Sequence, residues 1–269
     1  MDTLLLKLVT IPVLIATASL AGRRWGTAIS GWLVGLPFTS APILFFIALD
    51  QGLSFATATS VSVLAGGVSG IAFALTYGWF ATNRRQGWLI CLSAGYLSFL
   101  VITAILQFVF LPSFVVFLGF ISILILSIRI FPKSQPDNST FHYPKWDLPA
   151  RMITATMFVI VVTGAAPLLG PRLSGLVTPF PIFTSIMAVF SQKTSGIPSA
   201  VNLLRGLLYG LFAFATFSLT VSIFLETLGL LVTFLLAISA SLTVQGITLI
   251  LLRKWSARSV YQKDISTWK

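Results

Sequence analysis

Hydroxyl groups set beside prolines inside apolar segments are the residues of this chain whose types and spacing could do chemistry. Thr39 and Ser40 follow Pro37 in the run from Ser30 to Pro42, and Thr184 and Ser185 follow Pro181 in the run from Ser174 to Ser185. Proline removes a backbone donor and clashes with the carbonyl four residues back, so Pro37, Pro42, Pro179 and Pro181 should kink or unwind their helices. Freed N–H and C=O groups, together with the hydroxyls beside them, could hold a ligand by hydrogen bonds at the termini of the broken helices. The same hydroxyls could instead satisfy the freed groups inside a packed bundle, where the kinks serve packing alone. The residues by themselves leave both readings open.

Arg205 is the one ionisable residue well inside an apolar segment, about 11 Å from its start at Pro198 by helical rise. Intramembrane charge is costly and usually faces a partner or cavity, so Arg205, with Asn202 and Gln192 nearby, could hold an anionic or hydroxylated ligand. The alternative is that its long side chain snorkels to the headgroups. The aligned position in the first half is Val61, so any function of this charge is asymmetric.

Other chemistries lack their residues. No Asp or Glu lies near the centre of an apolar segment, which argues against a carboxylate proton relay and favours neutral or anionic ligands over cations. Serine without a base is not a nucleophile, and the paired groups of an intramembrane protease are missing, so the chain does not read as an enzyme. His142 is the one histidine and Cys91 the one cysteine, which leaves no metal site, no disulfide and no cofactor expected.

These residues must be positioned by membrane helices. With 57% apolar residues, 9% charged residues and a mean hydropathy of +0.98, the chain cannot be a soluble domain. Apolar runs of about 20 residues mean helices, since barrel strands are much shorter. The fold class is therefore all-α, a polytopic transmembrane helical bundle. Spans are expected near 4–21, 29–49, 55–81, 88–109, 113–130, 150–169, 173–191, 198–225 and 228–252, about nine in all. The first is read as a span and not as a leader. The division inside 88–130 needs a tight turn at Leu111 and Pro112.

Basic residues test that count. Fourteen of the 17 lysines and arginines fall on one side, Arg84, Arg85, Lys133 and Lys193 among them, while Lys7 and Arg172 fall opposite with Asp50 and Glu226. The positive-inside rule then places the N-terminus outside and the C-terminus in the cytoplasm, as for a bacterial inner-membrane protein. The net charge of +11 reads as topology signal and affinity for anionic headgroups, with the lipid bilayer as partner and no nucleic acid.

The chain also repeats itself. Gly31 and Pro37 recur as Gly175 and Pro181, and the same shift of 144 residues pairs Ala21, Gly26, Ser30, Gly52, Ala56, Leu64, Gly66 and Phe73 with identical residues. Ten identities compare with about four expected by chance, the mark of internal duplication. Thr39 and Ser40 match Thr184 and Ser185 if one residue is inserted in the second copy. Five crossings separate the copies, so spans 1–4 and 6–9 should form an inverted repeat about an axis in the membrane plane, with the fifth span as connector. The domains are then 1–131, the first repeat and connector; 132–149, a cytoplasmic linker; 150–255, the second repeat; and 256–269, a basic tail. Small residues such as Gly31, Gly35, Gly206 and Gly210 suit close helix contacts within the chain or a homodimer. Trp25, Trp32, Trp79, Trp88, Trp146 and Trp255 are expected as interfacial anchors.

The stretch from Ser174 to Gly210, with Gly-Leu-Val-Xaa-Xaa-Phe-Pro followed by Gly196, Ala200 and Gly210, resembles the GlpM-like bacterial membrane proteins. The first half resembles them more faintly. Members of that family are about half this length, so the resemblance implies a fused pair and hints at a link to exopolysaccharide production. The inverted repeat is also similar to that of drug/metabolite transporters, which have five plus five helices, whereas this chain lacks a tenth span. The expected function is that of a secondary transporter for a small neutral or anionic metabolite, with Pro37, Thr39, Ser40, Pro181, Thr184, Ser185, Asn202 and Arg205 at its substrate site. The competing expectation is a non-transporting scaffold or accessory subunit of envelope assembly.

Overall fold

Hydrocarbon offers no partner to a free amide, so an apolar chain folds into segments that satisfy their own backbone. The computed structural model describes residues 2–22, 26–133 and 147–266, with side chains for all of these except 2, 17–22, 26, 27, 147 and 251–266. Every regular element among them is a helix: α1 (Asp2–Gly22), α2 (Gly26–Val34), α3 (Ser40–Gln51), α4 (Leu53–Asn83), α5 (Trp88–Leu106), α6 (Ser113–Ile130), α7 (Asp147–Val177), α8 (Ile182–Ser195), α9 (Ile197–Leu228) and α10 (Leu230–Ser266). Six of them, α4, α5, α6, α7, α9 and α10, are long and apolar enough to cross a bilayer. Most of the linker, His142 included, lies outside the described residues, as do the side chains of Trp25, Trp146 and Trp255. Helix α10 runs on to Ser266, through most of the stretch expected as a tail.

Glycine makes the corners. Gly52, Gly196 and Gly229 each form a one-residue connection between consecutive helices, at φ of 91°, 89° and 74° with extended ψ. A Cβ makes that region costly, which explains glycine there. Gly170 adopts the same conformation inside α7, at φ 72° and ψ 170°, and divides it into 147–169 and 171–177. That is the division expected between the sixth and seventh spans. Pro112 caps α6 after the turn that follows α5, as the sequence suggests.

The proline runs break their helices. The chain leaves helix between Val34 and Ser40, and again between Val177 and Ile182. Both breaks have the same backbone hydrogen bonds: Phe38 N donates to Leu36 O at 2.7 Å and Ile182 N to Phe180 O at 2.8 Å, while Ala41 N donates to Pro37 O and Ser185 N to Pro181 O, both at 2.8 Å. Donors and acceptors alike are related by the 144-residue shift. The register holds without a gap, so Thr39 and Ser40 correspond to Phe183 and Thr184, and no inserted residue pairs them with Thr184 and Ser185.

Helices α4 and α9 form the middle of the bundle and are buried along most of their length, whereas α5 and α6 are largely exposed on its outside. Glycines let the broken helices reach them. A Cβ on Gly31 would lie 1.8 Å from the Leu203 carbonyl oxygen, and one on Gly175 would lie 2.4 Å from that of Thr59. Likewise a Cβ on Gly210 would lie 2.2 Å from the Trp32 oxygen and one on Gly66 2.6 Å from the Leu176 oxygen. These contacts come in pairs in which the two halves exchange roles at the same shift. Close backbone approach through small residues is how membrane helices gain dispersion contact without a hydrophobic driving force. Trp32 is drawn into this interface: it is 8% exposed, its indole N–H donates to Thr248 Oγ1 at 3.0 Å, and its carbonyl accepts from Gln245 Nε2 at 2.8 Å. It is a buried strut and not an interfacial anchor, since its break-proximal position faces α9 and α10.

Candidate functional site

Both breaks face one cavity of about 70 Å³. The first contributes Gly35, Leu36, Thr39 and Ser40, and the second Pro179, Phe180, Pro181, Phe183 and Thr184. Gly67 and Gly70 of α4 and Leu207, Leu211 and Phe214 of α9 complete the wall. Three hydroxyl-bearing residues, Thr39, Ser40 and Thr184, therefore meet in an otherwise apolar chamber. Ser40 and Thr184 occupy corresponding positions at the two breaks. Thr39 precedes α3 with helical backbone angles and makes no side-chain cap, so its hydroxyl is not committed to the helix end.

The remaining expected residues sort differently. Pro37 is buried but lines an apolar groove on the far side of the first break, which Leu36 shares with the central cavity. Ser185 points away from the chamber. Its hydroxyl lies 2.7 Å from Tyr96 Oη of α5 and donates to the Pro181 carbonyl. Its counterpart in the first half is Ala41, which lines the outer groove. Asn202 is half-buried on α9 and is not part of the cavity wall. Arg205 is 7% exposed, and its guanidinium donates from Nη1 to the carbonyl of Phe131, the C-cap of α6, at 3.5 Å. A cation at a helix C-terminus answers the carbonyls and the dipole there. Arg172 does the same for α5, donating to the carbonyls of Leu106, Gln107 and Val109 with its guanidinium over the Phe110 ring. Both arginines secure helix ends.

Sequence reasoning overlooked three features. Tyr77 donates to Gln192 Oε1 at 2.7 Å while Gln192 Nε2 donates to the Gln86 carbonyl at 3.1 Å, tying α4, α8 and the turn before α5 together. Gln192 also lines a vestibule of about 550 Å³ with Thr82, Arg85, Lys133, Gly196 and Pro198. Among the described residues, two cations and no carboxylate border it. Finally, Lys7 and Asp50 form a 2.7 Å ion pair between α1 and α3, with the ammonium 5.2 Å from the Phe46 ring centre. The sequence carries no local signal for these contacts, because their partners come from distant segments. Among the described residues no three His, Cys, Asp or Glu side chains gather as a metal site.

The class that these elements define is a multi-pass helical membrane protein. No family model, curated protein or solved structure matches the chain, so its function is argued from the geometry alone.

Proposed function

We propose that this protein is a secondary transporter of the inner membrane, a fused form of the GlpM-like architecture, that moves a small neutral or anionic metabolite by rocking two inverted repeats about the chamber between the broken helices. The observation that carries the reading is the convergence of both breaks on one chamber, with contacts exchanged between halves at a constant shift. A two-fold exchange of that kind gives a protein two ways to close that are related by the rotation, and alternating access uses both. The basic vestibule supports a neutral or anionic cargo, because Arg85 and Lys133 are the charged groups that line it among the described residues.

A chamber of about 70 Å³ holds a few waters, well under the volume that ligand pockets usually have, about 300 Å³ or more. Transport therefore requires the breaks to move apart. That contraction, with the tight glycine contacts around it, is what favours the competing reading of a packed scaffold. The test is a Cys91→Ala background carrying a single cysteine at Ser40 or Thr184, treated from either face with a membrane-impermeant thiol reagent. Labelling at both positions, with the reactive face changing when a candidate anion is added, is the expected result. A folded protein that labels at an exposed control such as Arg84→Cys, but at neither chamber position from either face, sinks the transporter reading in favour of the scaffold.

A further inference from the structure

The two halves correspond so closely in backbone that their differences carry information. Behind the second break, Phe180 is stacked on Tyr96 with ring centres 5.2 Å apart, meets Phe99 edge-on at 5.1 Å and lies 6.3 Å from Phe158. The 144-residue shift turns Phe180 into Leu36 and Phe158 into Leu14. Counted from the first residue of each helix, Tyr96 and Phe99 of α5 correspond to Ile238 and Ser241 of α10. All four replacements are smaller, and all four line the groove of about 420 Å³ between α1, α3 and α10. The groove keeps phenylalanines of its own, Phe45, Phe46 and Phe234 among them, but at these four positions the first half has smaller side chains where the second has rings.

We propose that this groove is a binding site for one acyl chain of a bilayer lipid. Its rim is continuous with the surface that faces the membrane: Leu6, Leu14, Ile238 and Leu242 are all exposed on apolar helices. The protons of its two hydroxyl residues are already committed within their own helices, Thr10 donating to the Leu6 carbonyl at 2.7 Å and Ser241 to the Ala237 carbonyl at 2.7 Å, so the groove presents no free hydroxyl donor to a polar guest. An apolar cavity open to hydrocarbon is filled by hydrocarbon, because a void would forfeit the dispersion contacts of its lining. Leu36 then forms a partition, with the acyl chain on one side and the central chamber on the other. The site needs only the membrane placement of the helices; any effect of the chain on the chamber rests on the transporter reading above.

The test uses the full-length protein reconstituted with a phospholipid carrying a photoactivatable diazirine near the end of one acyl chain, followed by mapping of the adducts. Adducts on the inner wall, at Pro37, Phe38 or Ala41, are expected in addition to those on the rim. Adducts confined to the rim and to other exposed positions such as Leu100 and Leu126, which any surrounding lipid would reach, would overturn the proposal. Leu36→Phe and, from the exposed side, Leu14→Phe each restore a ring of the second half and should abolish the inner-wall adducts while rim adducts persist. Should Leu36→Phe not fold, Leu14→Phe still decides, and inner-wall adducts unchanged in that variant count against an acyl chain in the groove. Cysteine access to the chamber is read separately, so a packed protein with a lipid site and a transporter without one give different results.

Discussion

Gly31 and Gly175 each lie against a backbone carbonyl where no Cβ fits, which is why glycine stands at both positions of the repeated pair. Gly31→Ala and Gly175→Ala should each lower stability by about 1–3 kcal/mol, the usual cost of overpacking against an element that cannot retreat. Gly119→Ala, whose Cβ would meet nothing within 4 Å, should leave stability unchanged or slightly raised. Unfolding in graded detergent denaturant would check all three, and equal midpoints for Gly31→Ala and Gly119→Ala would show that the close approach is not needed. Ser185 marks a limit of what sequence can show. Hydroxyls in adjacent positions look equivalent in a sequence, but a helix turns about 100° per residue, so Thr184 faces the chamber and Ser185 faces Tyr96. Arg205 likewise meets the end of α6, a contact its own segment does not announce because the two are 74 residues apart.

At the scale of elements, proline and glycine punctuation was readable because it acts on the backbone locally. The breaks at 35–39 and 178–181 and the corner at Gly170 all lie where the composition put them. Glycine contacts between helices could be expected from small-residue spacing, but polar contacts between elements were not readable, since they depend on which faces meet. The ion pair of Lys7 and Asp50 joins α1 to α3 with side chains 8% and 22% exposed, so the ammonium is withdrawn from solvent while Asp50 stays at its edge. Removing Asp50 leaves the buried ammonium without compensation. Asp50→Asn should therefore destabilise the protein by about 1–2 kcal/mol, less than a fully buried pair would lose, whereas replacing both partners with apolar residues, as Lys7→Met with Asp50→Leu, should recover most of the loss. Denaturation midpoints of the single and double variants decide it: a double variant as unstable as the sum of the two single variants would mean that the pair has no coupling. The expected gain from the double replacement also separates this strut from a functional charge, which would tolerate neither change in a transport assay.

For the whole molecule the open quantity is the number of crossings, and the geometry bears on it. Six long helices, α1 and the two broken pairs make nine if each broken pair traverses the bilayer. If each pair instead dipped in and returned to the same face, seven crossings would remain, and both counts put the termini on opposite sides. Terminal reporters cannot separate them. The loops can, because re-entrant pairs would move Arg85 and Lys133 to the face opposite the Gly196 corner. The vestibule brings Arg85, Lys133 and Gly196 around one cavity, as the proposed nine crossings would require. Arg172, meanwhile, binds the turn after α5 at the other end, away from these basic residues, in keeping with the positive-inside rule. Single cysteines at Arg84, Lys133 and Leu228 in the Cys91→Ala background should make this visible in intact spheroplasts. Leu228→Cys should react with an impermeant reagent added outside, and Arg84→Cys and Lys133→Cys only after the cells are opened. Reaction of Arg84→Cys or Lys133→Cys in closed spheroplasts would exclude nine crossings, and with them the inverted repeat, because an even number of crossings between the copies makes them parallel and removes the in-plane axis on which alternating access about the chamber depends.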